Sequence, residues 1–121
     1  MRRAALIACG LLAFATHIVG VNAQDEGGRL RTGQMIYVEH CAGCHGLSGH
    51  GDGPDGAALM VRPANLQSRR SRSKTDFDLF TTVAYGVAYS PMHGWGSRLT
   101  DDEIMEVISY IRIMAPFDPV F

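Results

Sequence analysis

The chain has 121 residues, which is enough for one domain and too few for two. Its 11 basic and 12 acidic side chains nearly cancel, leaving a formal net charge of −1. Basic residues cluster at positions 62–74, but one short basic loop on a slightly acidic chain argues against nucleic acid as a partner. We interpret this cluster as a solvated loop, or as a surface that orients the protein toward a charged partner.

The first 23 residues have the pattern of a secretory signal peptide. Two arginines near the start are followed by an apolar stretch, and positions 21–23 have the composition of a cleavage site. We therefore predict a signal peptide at residues 1–23, a mature domain at residues 24–121 and a periplasmic location. Loss of the two arginines lowers the formal charge from −1 to −3.

Two other interpretations of this segment stay open. Residues 4–21 are nearly long enough for an uncleaved membrane anchor, although Thr16, His17 and two glycines interrupt them. Cys9 follows a short apolar run, as in a lipoprotein signal, but this run is shorter than the usual apolar core. We favour cleavage, and expect contact with a membrane only through an uncleaved anchor or a membrane-bound partner.

The first predicted helix of the mature domain runs from Leu30 to Cys41. Its apolar residues recur at helical spacing. Gly33 lies inside this helix, although an interior glycine costs about 1 kcal/mol relative to alanine. We therefore expect another backbone to pass close to Gly33, where a side chain would not fit.

A C-x-x-C-H motif, Cys41-Ala42-Gly43-Cys44-His45, ends this helix and is typical of covalent attachment of a c-type haem. Two thiols three positions apart can form thioethers with two neighbouring vinyl groups, and the adjacent histidine then reaches the iron. We predict one haem c attached at Cys41 and Cys44, with His45 as an axial iron ligand.

Three other kinds of site use a pair of cysteines at this spacing, and each fits the chain less well. A thioredoxin-like C-x-x-C needs a βαβ frame, whereas this motif follows a helical pattern and precedes a glycine-rich loop. A zinc site needs further paired ligands, and a disulfide across three residues at a helix end would be strained.

Because a chain of this size has a small core, we also expect it to be largely unfolded without haem.

Residues 45–66 are rich in glycine and proline, which predicts an ordered loop with one helical turn near residues 57–60. We expect a backbone carbonyl of this loop to accept a hydrogen bond from the second ring nitrogen of His45. Such a bond would determine which ring nitrogen faces the iron. Residues 67–74 are polar, and we predict an exposed segment there.

A helix with a predicted capping box begins after Thr75, because Asp78 follows the threonine at the third position. Gly86 is the expected stop of this helix. The apolar residues that recur along it at helical spacing are Phe77, Phe80 and Ala84.

A second capping box, Thr100 with Glu103, begins the last predicted helix, which ends before Pro116. Its apolar residues at three- and four-residue spacing are Ile104, Val107, Ile108 and Ile111. No segment shows sustained two-residue alternation between hairpin turns. We predict an all-α architecture of short helices and long loops around one cofactor.

The sixth iron ligand decides between electron transfer and chemistry at the metal. Met92 lies between two predicted helices in a loop with a preceding proline and two glycines, and its soft thioether suits iron. We favour Met92, with His93 as its rival. The other candidates after the motif are His50, Met60, Met105 and Met114.

In this order the motifs resemble those of the class I c-type cytochromes, over nearly all of the mature chain. The residues that form the resemblance are Gly33 and Tyr37 before the C-x-x-C-H motif, Gly51-Asp52-Gly53-Pro54, Pro63-Ala64-Asn65-Leu66, Pro91-Met92 with Trp95, and Val107 and Tyr110 in the closing helix.

The resemblance implies a cytochrome c fold whose first and last helices cross near Gly33 and Tyr110. It also implies that the carbonyl of Pro54 bonds to His45 and that the iron is held between His45 and Met92. The chain departs from the family pattern in two ways. A histidine follows the ligand methionine where proline is frequent, and only one lysine is present, so the lysine collar of mitochondrial-type carriers is missing.

We predict a one-electron carrier rather than an enzyme, with redox proteins as partners: a donor dehydrogenase, an acceptor oxidase or another cytochrome. Trp95 is predicted to bind a haem propionate through its indole N–H or to pack in the core. One alternative is a haem c subunit of a periplasmic dehydrogenase or oxidase complex. A small haem peroxidase or gas sensor with a labile sixth ligand is less favoured, because the sequence offers no distal acid–base pair.

Overall fold

A computed structural model of the chain describes residues 23–119. Apart from Ala23, the predicted signal segment lies outside the described residues, so its cleavage and the domain boundary stay predictions. Among residues 23–119, no helix has the length and apolar character needed to cross a membrane. The helical elements are α1 (Ala23–Ile36), a π-helical turn (Tyr37–Cys41), α2 (Ala42–His45), a 3-10 turn (Pro54–Gly56), α3 (Arg69–Arg72), α4 (Asp76–Tyr85) and α5 (Asp101–Met114).

The all-α prediction is confirmed in the part of the chain that the structure describes. No strand occurs there, and one isolated antiparallel bridge joins Gly86 and His93. The fold is therefore a set of helices joined by long loops.

The first helix differs from the predicted single helix at residues 30–41. It begins at Ala23, with Asp25 and Glu26 in the first turn, where carboxylates interact favourably with the helix dipole. At Tyr37 the helix changes to a π turn that ends at Cys41. Apolar spacing gave no sign of the earlier start, because residues 25–29 are polar or glycine and exposed.

Helices α1 and α5 cross where the sequence predicted a close approach. A Cβ atom at Gly33 would collide with the backbone carbonyl of Glu106, so the two backbones touch there. One turn further along the chain, at the start of the π turn, the ring of Tyr37 packs on that of Tyr110 with their centroids 5.5 Å apart. The expected crossing near Gly33 and Tyr110 is confirmed.

The core consists of two clusters that both include residues of α5. We call the first the α1 cluster, formed by Ile36, Tyr37, Ala42, Val107 and Ile111. We call the second the α4 cluster, formed by Leu79, Val83, Trp95, Ile104 and Ile108. All four apolar positions predicted for α5 are buried, and they divide between the clusters.

Helix α4 has the predicted capping box, and two of its three predicted apolar residues, Phe80 and Ala84, pack on the α4 cluster. Thr75 Oγ1 accepts from the backbone N–H of Asp78, and the Asp78 carboxylate accepts from the backbone N–H of Thr75. Leu79 and Val83 are buried, whereas Phe77 is 77% exposed. Phe77 was also predicted on the apolar face, but the buried residues of α4 lie about half a turn away from it.

The polar segment at residues 67–74 contains the short helix α3, capped by Ser68, and is anchored to the C-terminal tail. The Arg72 Nε donates to the Pro116 carbonyl at 2.9 Å, and the Asp118 N–H donates to the Arg72 carbonyl at 3.0 Å. Arg69 and Arg70 are exposed. The basic cluster therefore contains both a structural arginine and solvated ones.

Candidate haem site

The two cysteines of the motif lie on consecutive helical segments. The π turn closes when the backbone N–H of Ala42 donates to the Tyr37 carbonyl, and α2 then contains Cys44 and His45. Both thiols are free and partly buried. Burial, together with the neighbouring Cys44, raises the pKa of the Cys41 thiol to about 11, so this thiol is neutral at physiological pH.

The imidazole of His45 is oriented by one backbone carbonyl. Its Nδ1 lies 3.0 Å from the carbonyl oxygen of Ala64. Because a carbonyl only accepts, Nδ1 carries the proton, and the lone pair of Nε2 remains for a metal. A loop carbonyl at this position was expected from the sequence.

The identity of that carbonyl corrects the prediction. The resemblance implied Pro54, but the Pro54 carbonyl instead accepts from the backbone N–H of Ala57, at 3.4 Å, within the turn that begins at Pro54. The chain folds back on itself after this turn, and Ala64 rather than Pro54 then faces the imidazole of His45. Spacing along a loop does not reveal which carbonyl returns to the ring.

Residues 46–66 wrap around α2 through backbone hydrogen bonds. The N–H of Gly51 donates to the His45 carbonyl at 2.8 Å, and the N–H of Gly53 donates to the Cys44 carbonyl at 3.1 Å. A Cβ atom at Gly53 would press on the carbonyls of the motif itself. The predicted ordered loop is confirmed, although its helical turn lies at Pro54–Gly56 instead of residues 57–60.

Tyr37 joins this loop to the core. Its hydroxyl donates to the Gly46 carbonyl at 2.7 Å, and the side chain is fully buried. Burial raises the pKa of Tyr37, so the phenol stays protonated and remains a donor. The loop after His45 is thus tied to the crossing of α1 and α5.

The loop that contains Met92 is held against the end of α4. The backbone N–H of Trp95 donates to the Val83 carbonyl at 2.9 Å, and the N–H of Val87 donates to the Met92 carbonyl at 2.8 Å. Gly86 has φ +77°, and a Cβ atom there would approach the Met92 carbonyl. The loop is therefore fixed by backbone contacts that need glycine at this turn.

The side chain of Met92 is partly buried and packs against the α4 cluster. Among the other candidates, Met60 is fully exposed, while Met105 and Met114 pack on the α4 and α1 clusters as core residues. His50 is exposed. Met92 is thus the candidate thioether that lies in a fixed loop rather than on a core helix or free in solvent.

Trp95 lies at the centre of an aromatic stack next to Met92. Its ring centroid is 4.9 Å from that of His40 and 4.7 Å from that of His93, and the Arg98 guanidinium lies 5.4 Å away. The predicted propionate contact of Trp95 stays a prediction. His40 was not predicted as a site residue, although its position next to Cys41 was a signal.

These residues suit a covalently attached haem c. Two free thiols lie three positions apart on adjoining helical turns, and the next residue has one ring nitrogen committed to a carbonyl and the other available. The Met92 thioether lies in a loop whose backbone bonds to the end of α4. A thioredoxin-like frame is not formed, since residues 23–119 contain no strand.

Comparison with known proteins identifies related sequences. The family model described as cytochrome C oxidase, cbb3-type, subunit III matches residues 28–111. Cytochrome c-L of Methylorubrum extorquens is 32% identical over 90 residues, which cover 73% of this chain and 41% of that protein. The cbb3-type cytochrome c oxidase subunit CcoP of Cereibacter sphaeroides is 28% identical over 97 residues, covering 79% of this chain and 31% of that protein.

A solved structure agrees with these sequence matches. The crystal structure of cytochrome cL from Hyphomicrobium denitrificans superposes with a TM-score of 0.56 at 33% identity, over 73% of this chain and 48% of that chain. The chain spans less than half the length of each of the relatives it matches here.

Proposed function

The chain belongs to the cbb3-type cytochrome c oxidase subunit III family of c-type cytochromes, and we propose that it transfers single electrons between redox proteins in the periplasm. It binds one haem c covalently through its C-x-x-C-H motif. Cytochromes of this type in bacteria function outside the cytoplasm as electron carriers. The periplasm and the exchange of electrons with a separate donor and acceptor are parts of the proposal.

His45 and Met92 are the proposed axial ligands. When bound, the haem supplies one-electron exchange between ferrous and ferric iron. His45 presents Nε2 because its Nδ1 donates to Ala64, and Met92 presents its sulfur from a loop whose backbone bonds to the end of α4. Both residues are held before any electron arrives, so little rearrangement accompanies a change of charge.

The observation that carries this proposal is the fixed Met92 loop. The backbone N–H groups of Trp95 and Gly96 donate to α4, and that of Val87 donates to the Met92 carbonyl within the loop. These three hydrogen bonds keep the loop of the Met92 thioether in place. A thioether from this loop would occupy the sixth coordination position of the iron, which favours an electron carrier over a peroxidase or gas sensor. Trp95, buried next to Met92, is the proposed donor to a haem propionate.

Replacement of Met92 by Ala tests the proposed ligation. We expect the weak ferric absorption band in the red that accompanies sulfur ligation to vanish, and the reduction potential to fall, because the soft thioether favours ferrous iron. Met105→Leu is the matched control, since Met105 packs on the same α4 cluster and is not a proposed ligand. An unchanged band in Met92→Ala would show that another residue binds the iron.

A second candidate function, a haem c subunit of an oxidoreductase complex, is favoured by the CcoP relative, whose name makes it an oxidase subunit. The native mass of the haem-loaded protein in a gentle extract distinguishes the two functions. A species with the mass of one chain supports a free carrier. A larger species that loses its oxidoreductase activity when this chain is removed supports the subunit.

A further inference from the structure

Three rings form one stack beside the loop of Met92. The indole of Trp95, only 9% exposed, lies between two imidazoles at centroid distances of 4.9 Å to His40 and 4.7 Å to His93. Both ring pairs are tilted by 38°. Tilted pairs at this separation are attractive beyond the apolar area they bury.

The stack joins two parts of the chain that each hold a proposed haem contact. His40 immediately precedes Cys41, whereas Trp95 and His93 follow Met92 in its loop. Within residues 23–119, the backbone hydrogen bonds of this loop run to the end of α4 or stay in the loop, and none reaches the π turn. We call residues 37–45, which contain the two cysteines, the attachment segment. The ring of His40 therefore links the attachment segment to the Met92 loop by a side-chain contact.

We propose that His40 is a positioning residue for Met92, through its ring contact with Trp95; this inference rests on the proposed His45 and Met92 ligation. A movement of the loop that withdrew Met92 from the iron would separate Trp95 from His40, whose ring centroids lie 4.9 Å apart. The contact therefore stabilises the sulfur-bound state relative to the open state. An open state that is more populated binds an added ligand with higher apparent affinity.

A competing role for His40 is an ion pair with its neighbour. The Glu39 carboxylate lies 3.9 Å from the His40 Nε2, but the Glu39 side chain is 74% exposed and that of His40 is 32% exposed. An exposed pair at this distance contributes little because water screens it. The Trp95 ring that contacts His40 is buried, so water screens the stack less than it screens the ion pair.

Titration of the haem-loaded ferric protein with imidazole tests the inference. Added imidazole displaces the thioether, and the loss of the red absorption band reports the displacement. In His40→Ala we expect the apparent affinity for imidazole to rise about 2- to 10-fold, the range that one aromatic pair accounts for. His40→Phe keeps a ring against Trp95 and should restore the wild-type affinity to within about 2-fold.

Two variants serve as controls. Glu39→Gln removes the carboxylate and leaves the stack, and His50→Ala removes an exposed histidine elsewhere. Both should bind imidazole as the wild type does. The proposal is overturned if His40→Ala binds imidazole like the wild type, if Glu39→Gln reproduces its effect, or if His40→Phe fails to restore the affinity. Absence of the red band from the wild type would instead contradict the ligation by Met92.

Discussion

The two sides of the haem site are held in different ways. On the His45 side, the loop that follows the motif bonds back to the motif itself, through the carbonyls of Cys44 and His45 and the ring of His45. On the Met92 side, the loop bonds to the last turn of α4 and meets the attachment segment through His40. The imidazole belongs to the segment that also forms the covalent links, whereas the sulfur belongs to a separate loop without covalent links to the haem. The sulfur is therefore the ligand expected to leave first.

The largest expected effect comes from Gly53 on the His45 side. In Gly53→Ala, the added Cβ would crowd the backbone carbonyls of Ala42 and Gly43, which cannot move without distorting the motif. Overpacking of this kind costs about 1–3 kcal/mol, and here it displaces the thiols as well. We expect the yield of covalently attached haem to fall severely, measured by mass spectrometry of the purified chain.

The control for Gly53→Ala is Gly28→Ala in α1, where an added Cβ meets no atom within 4 Å. An alanine there should stabilise the helix by about 1 kcal/mol. Full attachment of haem to Gly53→Ala would mean that the loop yields easily and that the His45 side is as adaptable as the Met92 side.

Replacement of a glycine on the Met92 side should weaken the sulfur ligation without loss of the covalently attached haem. Gly86 has φ +77° and ψ −170°, a conformation that essentially only glycine adopts, so alanine is strained there by about 1–3 kcal/mol, and its Cβ would also press on the Met92 carbonyl. We expect Gly86→Ala to keep its haem covalently attached while the red absorption band weakens or disappears. Mass spectrometry and the visible spectrum of one sample measure both properties.

The opposite pattern in Gly86→Ala, a lost haem with an intact band in the remaining holoprotein, would contradict the division of the site into two sides. Comparison with Met92→Ala distinguishes two causes of band loss, a displaced loop in Gly86→Ala and a missing sulfur in Met92→Ala. Added free methionine or a thioether ligand should restore the band in Met92→Ala, because the site is open there.

The smallest expected effect concerns the capping carboxylates in acid. The hydroxyl of Thr75 and then its backbone N–H hold the pKa of Asp78 below its ordinary value of 3.8, and the corresponding groups of Thr100, the backbone N–H first, lower the pKa of Glu103 below 4.5. A lowered folded-state pKa means that the cap stabilises the fold above the unfolded pKa and loses this contribution as the pH falls through the folded pKa.

Neutral variants of the two caps test this pH dependence and distinguish the two sides. Asp78→Asn should be less stable than the wild type at neutral pH, and this difference should vanish well below the ordinary pKa of 3.8. Because the Met92 loop bonds to the end of α4, its variant should mainly lower the denaturant midpoint of the red band. Glu103→Gln, on α5, should lower the midpoints of the red band and of helix unfolding together. Equal stability differences at both pH values would contradict the role of these carboxylates.

Much of the fold follows from local patterns. Thr75 and Thr100 with an acid three positions later predicted the starts of α4 and α5, because capping satisfies backbone N–H groups within one turn. Gly33 predicted a backbone contact, since interior glycine is costly without one. The haem motif was recognised for the same reason: its chemistry lies within five consecutive residues.

Other features depend on residues that are distant in sequence. Leu79 and Val83, rather than Phe77, face α5 because the docking of two helices selects the buried stripe. The π turn at Tyr37–Cys41 changes the direction of Cys41 without any change in apolar spacing that would reveal it. Neither feature could be predicted from the segment alone.

The sequence by itself determined the covalent chemistry and the helical class of this protein, because thiol spacing, capping pairs and helical periodicity are properties of neighbouring residues. Only the tertiary structure decided which carbonyl orients His45 and which ring contacts Trp95. Ala64 lies 19 residues after His45, and His40 lies 55 residues before Trp95. Such contacts form when loops close over the core, and the free energy that selects them comes from packing across the whole domain.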